Sequence, residues 1–260
     1  MSKNGYIELV GKTIVLMEAL RDEPEGLSLQ ELAIRSGQVK SSVHRVLNSL
    51  KRHGYVEQES AGGAYRLGIQ VLTLVRGLNG SGSLIQIARP FLREMMETFD
   101  ESAYLAILRA TRGIFVDVQE TQRDLRLVGP LGADVHFHAT AAGKAMAAFL
   151  PADKRRELLK SIRFEHLTGG TLTRPAKVED EWAKVRECGY AVNDEETIVG
   201  AIFLAAPVLD ANKLVCASIS VGVPKARYTD VLGQKIASQL INACARLSDV
   251  LQSTGYRSQH

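Results

Sequence analysis

VKSSVHRVLNSLKRHGY, residues 39–55, has the period of a single amphipathic helix. Val43, Val46, Leu47 and Leu50 fall at i, i+3, i+4 and i+7, which winds them onto one apolar stripe. Outside that stripe the segment carries Lys40, Ser41, Ser42, His44, Arg45, Asn48, Lys51 and Arg52. No acidic side chain occurs between Glu31 and Glu57. A basic face with no acid to neutralise it, rich in Ser, Asn and Arg, suits phosphate and base-edge contact. The plainer reading is a solvated helix face, since charge runs are usually just wet. The flanking segments bear on that choice.

Upstream, the pattern predicts a helix over residues 7–21 with Val10, Ile14, Met17 and Leu20 turned inward, broken by Asp22 to Gly26 with Pro24. Ser28 and Glu31 form the S-x-x-E capping box, and the short helix after it buries Leu29, Leu32 and Ala33. Gly37 supplies its left-handed stop. Downstream, Tyr55 to Gln58 and Ala64 to Leu67 read as two strands joined through Gly62-Gly63. Helix, helix, turn, basic helix, hairpin is the order of a winged helix-turn-helix, in which the third helix lies in the major groove.

The chain has 260 residues, 45% hydrophobic and 23% charged, with a formal net charge of +3. That describes a globular protein with material for a real core, and a charge too small for wholesale coating of nucleic acid. Cys188, Cys216 and Cys244 are odd in number and include no CxxC pair, which argues for reduced thiols. There is no basic-then-apolar leader and no apolar run near the ~20 residues that span a bilayer, so the expected setting is soluble and cytoplasmic with no membrane partner. Ile69 to Leu78 is helical in pattern. Gly77 to Ser83, GLNGSGS, reads as a hinge between a DNA-binding domain over 1–76 and a second domain over 84–260.

In the second domain Leu84 to Phe99 reads as a helix containing Pro90. Ala103 to Leu108, Gly113 to Val118 and Leu125 to Leu127 read as strands. In His136 to Leu150, HFHATAAGKAMAAFL, the two histidines look like a strand end, and Thr140 is placed to cap a helix starting at Ala141. Small side chains at a helix start leave its amides accessible, which suits a carboxylate. They equally permit close packing of helix on sheet. Lys144 reads as a helix-surface or anion-facing residue. Helices are expected over residues 158–162 and 177–188, then the segment Val192 to Val208 and after it a strand from Val215 to Val223. A last helix over 231–251 should face inward at Ile236, Leu240, Ala243, Leu247 and Val250.

The run from Leu27 to Val56, with ELAIRSG, SSVHRVLNSL and HGYV, resembles the DNA-binding domain of the IclR family of bacterial transcription regulators. ATAAGKA and NDEETIVGAIFLAAPV, further along, are similar to that family's effector-domain signatures. The resemblance implies an α+β protein. Its parts are a winged helix-turn-helix followed by a GAF-like effector-binding domain, a curved antiparallel sheet with helices. The effector positions implied are Ala141, Ala142, Asn193, Ala201, Phe203, Ser220 and Gly222. Several depart from the commoner pattern: Ala141 where Gly is frequent, Asn193 for Asp, Phe203 for a smaller residue, Gly222 for Ser. The pocket expected is therefore more apolar, with an aromatic wall. The implied partners are operator DNA, a small organic acid and further copies of the chain, as homodimer or tetramer, with no cofactor. A metal-dependent enzyme or metal sensor using His136 and His138 is the competing reading, because HxH can hold zinc. No GxSxG, CxxC, HExxH or phosphate-loop spacing accompanies it. The expectation is a ligand-responsive transcription regulator, not an enzyme.

Overall fold

A computed structural model describes residues 6–21, 23–60, 62–76, 84–129 and 131–258. The chain divides into two compact units, residues 1–80 and 81–260. The hinge expected at Gly77 to Ser83 lies outside the described residues.

The first unit runs α1 (Glu8–Arg21), α2 (Leu29–Ser36), α3 (Lys40–Arg52), β1 (Val56–Gln58), β2 (Tyr65–Leu67) and α4 (Gln70–Arg76). The capping box forms: Ser28 N–H donates to Glu31 Oε2 at 2.8 Å, and Glu31 N–H donates to Ser28 Oγ at 3.3 Å. Gly37 ends α2 at φ 63°. The apolar stripe of α3 enters a core with Leu16, Leu20, Leu27, Leu32, Val56 and Tyr65. β1 and β2 pair antiparallel as the wing. The inward face of α1 differs from the expected one. Leu16 and Leu20 are buried, whereas Val10 and Ile14 remain 52% and 51% exposed. An apolar period fixes a stripe, but α1 carries apolar residues on two faces, and only one meets α2.

The second unit contains α5 (Leu84–Phe99), β3 (Ala103–Arg109), β4 (Arg112–Gln119), α6 (Ala141–Ala148), α7 (Ala152–Ser161), α8 (Pro175–Cys188), β5 (Ala191–Asp194), β6 (Ala201–Leu209), β7 (Val215–Pro224) and α9 (Asp230–Ser253). The strands make one sheet in the order β4-β3-β7-β6-β5, every neighbouring pair antiparallel. α5 and α9 cover one face, through Leu92, Met95, Leu240 and Leu247 against Leu105, Leu204, Ile219 and Val221. α6 and α8 cover the other, through Ala142, Met146 and Trp182 against Ala106 and Ala205. β7, central and roofed on both sides, is buried from end to end, as a strand covered on two faces must be.

The expected curved sheet is corrected by this arrangement. The sheet is an open layer, neither curled nor closed, with β4 and β5 as its two edges. Helices press on both faces, so it has no empty concave side, and its two register shifts, at Leu105/Ala106 and Val208/Leu209, do not roll it up. Four local expectations also change. Leu125 to Leu127 lie in an irregular segment and not a strand. His136 to His138 enter a turn, because Ala139 and Thr140 both donate backbone bonds to His136 O. α7 starts at Ala152, six residues early. On α9 Leu251 is buried while Val250 stays 37% exposed.

Trp182 ties α8 to the turn before α6: it is fully buried and its Nε1 donates to Phe137 O at 3.1 Å. Trp182→Phe keeps most of the packing but takes the donor from that carbonyl, a loss of about 1–3 kcal/mol. Urea unfolding followed by circular dichroism should show it.

Candidate functional sites: a basic helix face and an apolar cavity

On α3, Lys40, Ser41, His44, Arg45, Asn48, Lys51 and Arg52 are all exposed, while Ser42 is half-buried and turned partly toward the core. Val39 precedes the helix without a side-chain cap, so the first amides are left for an acceptor from outside. Lys40 Nζ donates to Gln30 Oε1 at 3.2 Å, which fixes it to α2. Lys51 Nζ donates to Gln58 Oε1 at 2.9 Å, and Gln58 Nε2 donates to Gly63 O at 3.0 Å, so α3 and the wing are joined by one chain of bonds. His44 and Asn48 lie 3.4 Å apart, ring nitrogen to amide. The Arg45 and Arg52 guanidinium groups form no hydrogen bond or ion pair with any described residue. Gln58 was missed from the sequence. Its signal was its place in a strand of the wing, facing back toward the helix.

The second site is a cavity of about 250 Å³ in the second unit, between the start of α6 and the sheet. Ala141, Ala142, Asn193, Phe203 and Ser220 line it, together with Tyr104, Phe115, His136, Leu167, Thr197 and Ile198. Ala201 and Gly222 are not on its wall. Thr140 caps α6: its hydroxyl accepts from Gly143 N–H at 3.1 Å and donates to His136 O at 2.9 Å. That leaves the Ala141 and Ala142 amides for an occupant of the cavity. Close packing is equally present here. A Cβ on Gly143 would stand 2.5 Å from His136 O and 2.7 Å from Phe137 Cα, so the helix sits as near the turn as glycine permits.

Asn193 is buried and spent locally, its Nδ2 donating to Thr197 Oγ1 at 2.7 Å and its Oδ1 accepting from Glu196 N–H at 2.8 Å. It shapes the wall and has little left to offer a ligand. Ser220 Oγ, in contrast, bonds to no described residue. Tyr104 stacks edge-on against Phe115 and Phe203, with centroids 6.4 and 6.1 Å apart. Its hydroxyl donates to Leu127 O, and burial pushes the phenol up to about 12. Among the described residues no lysine or arginine lines the cavity, and the one carboxylate that does, Asp134, is held by Arg112 at 2.6 Å.

Of the two readings of Lys144, helix surface or anion-facing, the structure has the second, from a buried position. It is 1% exposed, with Nζ donating to Val192 O at 2.7 Å, paired to Glu196, and 3.4 Å from Glu181. Burial pushes the Glu196 carboxyl up, against the pull of the ammonium. The HxH pair does not build a metal site either. The two rings stand 5.9 Å apart and near perpendicular, His138 is buried with Nε2 3.0 Å from Glu165 O, and burial pulls its imidazole down. Among the described residues no three His, Cys, Asp or Glu side chains gather as ligands.

A winged helix with an acid-free basic face, followed by an α/β unit with a small apolar cavity, defines a DNA-binding regulator that answers to a ligand. Residues 9–60 match the IclR helix-turn-helix domain, and residues 79–249 match the C-terminal domain of bacterial IclR transcriptional regulators. The chain belongs to the IclR family. It is 34% identical to the HTH-type transcriptional regulator BhcR of Paracoccus denitrificans, over 86% of this chain and 80% of that one. With the transcriptional repressor IclR of Escherichia coli it shares 28% identity, over 94% and 90% of the two chains. The crystal structure of an IclR transcriptional regulator from Silicibacter superposes with a TM-score of 0.80 at 25% identity, over 94% of this chain and 96% of the other. The protein is a ligand-responsive, DNA-binding transcription regulator.

Replacing Lys144 by Met takes the cation from two carboxylates, one of them largely buried. Loss of one partner from a buried pair costs about 3–5 kcal/mol. Part is recovered if Glu196 takes up a proton, so the loss measured by urea unfolding should be smaller at pH 5 than at pH 8.

Proposed function

We propose that the effector is a small carboxylate with a flat apolar body, bound with its charge on the Ala141 and Ala142 amides and the Ser220 hydroxyl. The observation that carries this reading is the pairing of free amides at a helix start with walls made of Tyr104, Phe115, Leu167 and Phe203. A helix N-terminus attracts an anion without a formal cation, and aromatic walls select the body. Ala142→Leu should fill the cavity and abolish binding of benzoate, measured by calorimetry, while leaving affinity for operator DNA within about twofold. Coupling is reciprocal for binding free energies, so in the parent protein the operator should shift benzoate affinity by the factor by which benzoate shifts operator affinity. An unchanged benzoate affinity in Ala142→Leu would place the ligand elsewhere.

On the DNA side, the reading assigns base or phosphate contact to Lys40, Ser41, Ser42, His44, Arg45, Asn48, Lys51 and Arg52. Arg45 and Arg52 are the strongest of these, since neither side chain is committed to another described residue. A base-reading arginine is worth about 1–3 kcal/mol of discrimination, so Arg45→Ala should weaken operator binding and relax one base position. Equal binding of parent and variant to operator and random DNA in a gel-shift titration would remove Arg45 from the interface.

The reading also includes a homodimer, or a tetramer built from dimers. Ile7, just before α1, and Val10 and Ile14 on it are at least half exposed, and α4 leaves Leu72 and Leu74 exposed. An apolar patch of that kind on a regulator suits a second copy. Paired winged helices would protect inverted half-sites about 34 Å apart, or a multiple of that. A hydroxyl-radical footprint over a single half-site, from a protein that sediments as a monomer, would overturn this.

A further inference from the structure

Phe203 and Gly222 face each other across β6 and β7 in direct register. Residues paired in this way project from the same face of a sheet, and here that face looks toward the cavity. A Cβ built on Gly222 would lie 2.6 Å from Phe203 Cε1, 2.8 Å from Phe203 Cδ1 and 3.2 Å from Leu127 Cδ1. The Phe203 ring therefore lies down in the space that a side chain at 222 would use. The backbone of Gly222 is outside the left-handed region, so glycine is needed there for room and not for conformation. Phe203 is flanked by Tyr104 at 6.1 Å, and Leu127 is tied through its carbonyl to the Tyr104 hydroxyl. With those two neighbours holding each other, the side left for the ring to move into is the cavity it lines.

We propose that Gly222 is the seat of the Phe203 ring and, through it, the residue that sets the size of ligand the cavity admits. The inference rests on reading the cavity as the effector site, but the steric coupling itself does not. Gly222 is a positioning residue: it touches no ligand. Phe203 is the wall it positions. A side chain at 222 tips the ring up into a space of only about 250 Å³, and a large ligand loses room before a small one does. The two departures from the commoner family pattern, a large residue at 203 and none at 222, are then one exchange of volume between neighbours.

Two measurements separate the parts of this proposal. The first needs no ligand. Gly222→Ala should lower Tm by about 3 °C or more, for a steric cost near 1 kcal/mol. In a Phe203→Ala background the same change should lower it by less than about 1 °C. Equal shifts in both backgrounds would overturn the coupling. The second uses benzoate and acetate in calorimetry. Gly222→Ala should weaken benzoate at least tenfold and acetate less than threefold, while Phe203→Ala/Gly222→Ala should recover benzoate binding to within about threefold of Phe203→Ala. Parallel losses for both acids, or no recovery in the double variant, would overturn the size gate. If the parent itself binds no benzoate, the effector reading fails, and the Tm cycle still decides whether Gly222 seats Phe203.

Discussion

One ammonium group, buried under α6, ties together the wall of the cavity beside that helix. Lys144 Nζ reaches Val192 O on β5 and the Glu196 carboxylate in the loop that follows. That loop carries Thr197 and Ile198, and β5 carries Asn193, so three parts of the cavity wall hang from one charge on a helix whose first residues form another part. A lone charge in such a place would cost several kcal/mol; here it is matched by a carboxylate and a carbonyl. The loop is pinned from its other side as well. Thr168 and Thr171 hydroxyls donate to Glu195 O and Glu196 O, each at 2.6 Å, and Gly200 N–H donates to Glu195 Oε1 at 2.7 Å. A buried polar network of this kind fixes geometry, although Glu196 Oε2 has no hydrogen-bond partner among the described residues.

The two sites rely on the same property of a helix start, used in opposite surroundings. At α3 the first turn has no side-chain cap and opens onto an exposed basic face, where phosphates bring their own charge. At α6 the first turn is buried, Thr140 covers one amide, and apolar walls enclose the others. On the proposed reading, selectivity in the first case would come from side chains that reach outward, Arg45 and Arg52 above all. In the second it would come from shape, because amides alone accept any small anion.

How much of this could be read from the sequence depended on the range of the interactions involved. The capping box at Ser28 and Glu31, the Gly37 stop and the stripe on α3 are encoded within a few residues, and they stand as read. The inward face of α1 was misread because the helix offers two apolar faces and only its neighbour selects one. The sequence leaves Lys144 open between helix surface and anion-facing for a related reason: Glu196, the anion it faces, is 52 positions away, and only the fold brings the two together. The open sheet was not legible either, since curvature belongs to the layers packed on a sheet and not to any one strand. Of the seven effector positions implied by resemblance, five line the cavity. Ala201 and Gly222 do not, and nothing in a motif distinguishes a residue that lines a wall from one that stands behind it.

The contact between Phe203 and the bare backbone of Gly222 also makes the two positions a single unit for redesign. Positions that share one volume do not add independently when changed: a larger residue at 222 calls for a smaller one at 203, so reshaping this wall takes paired substitutions.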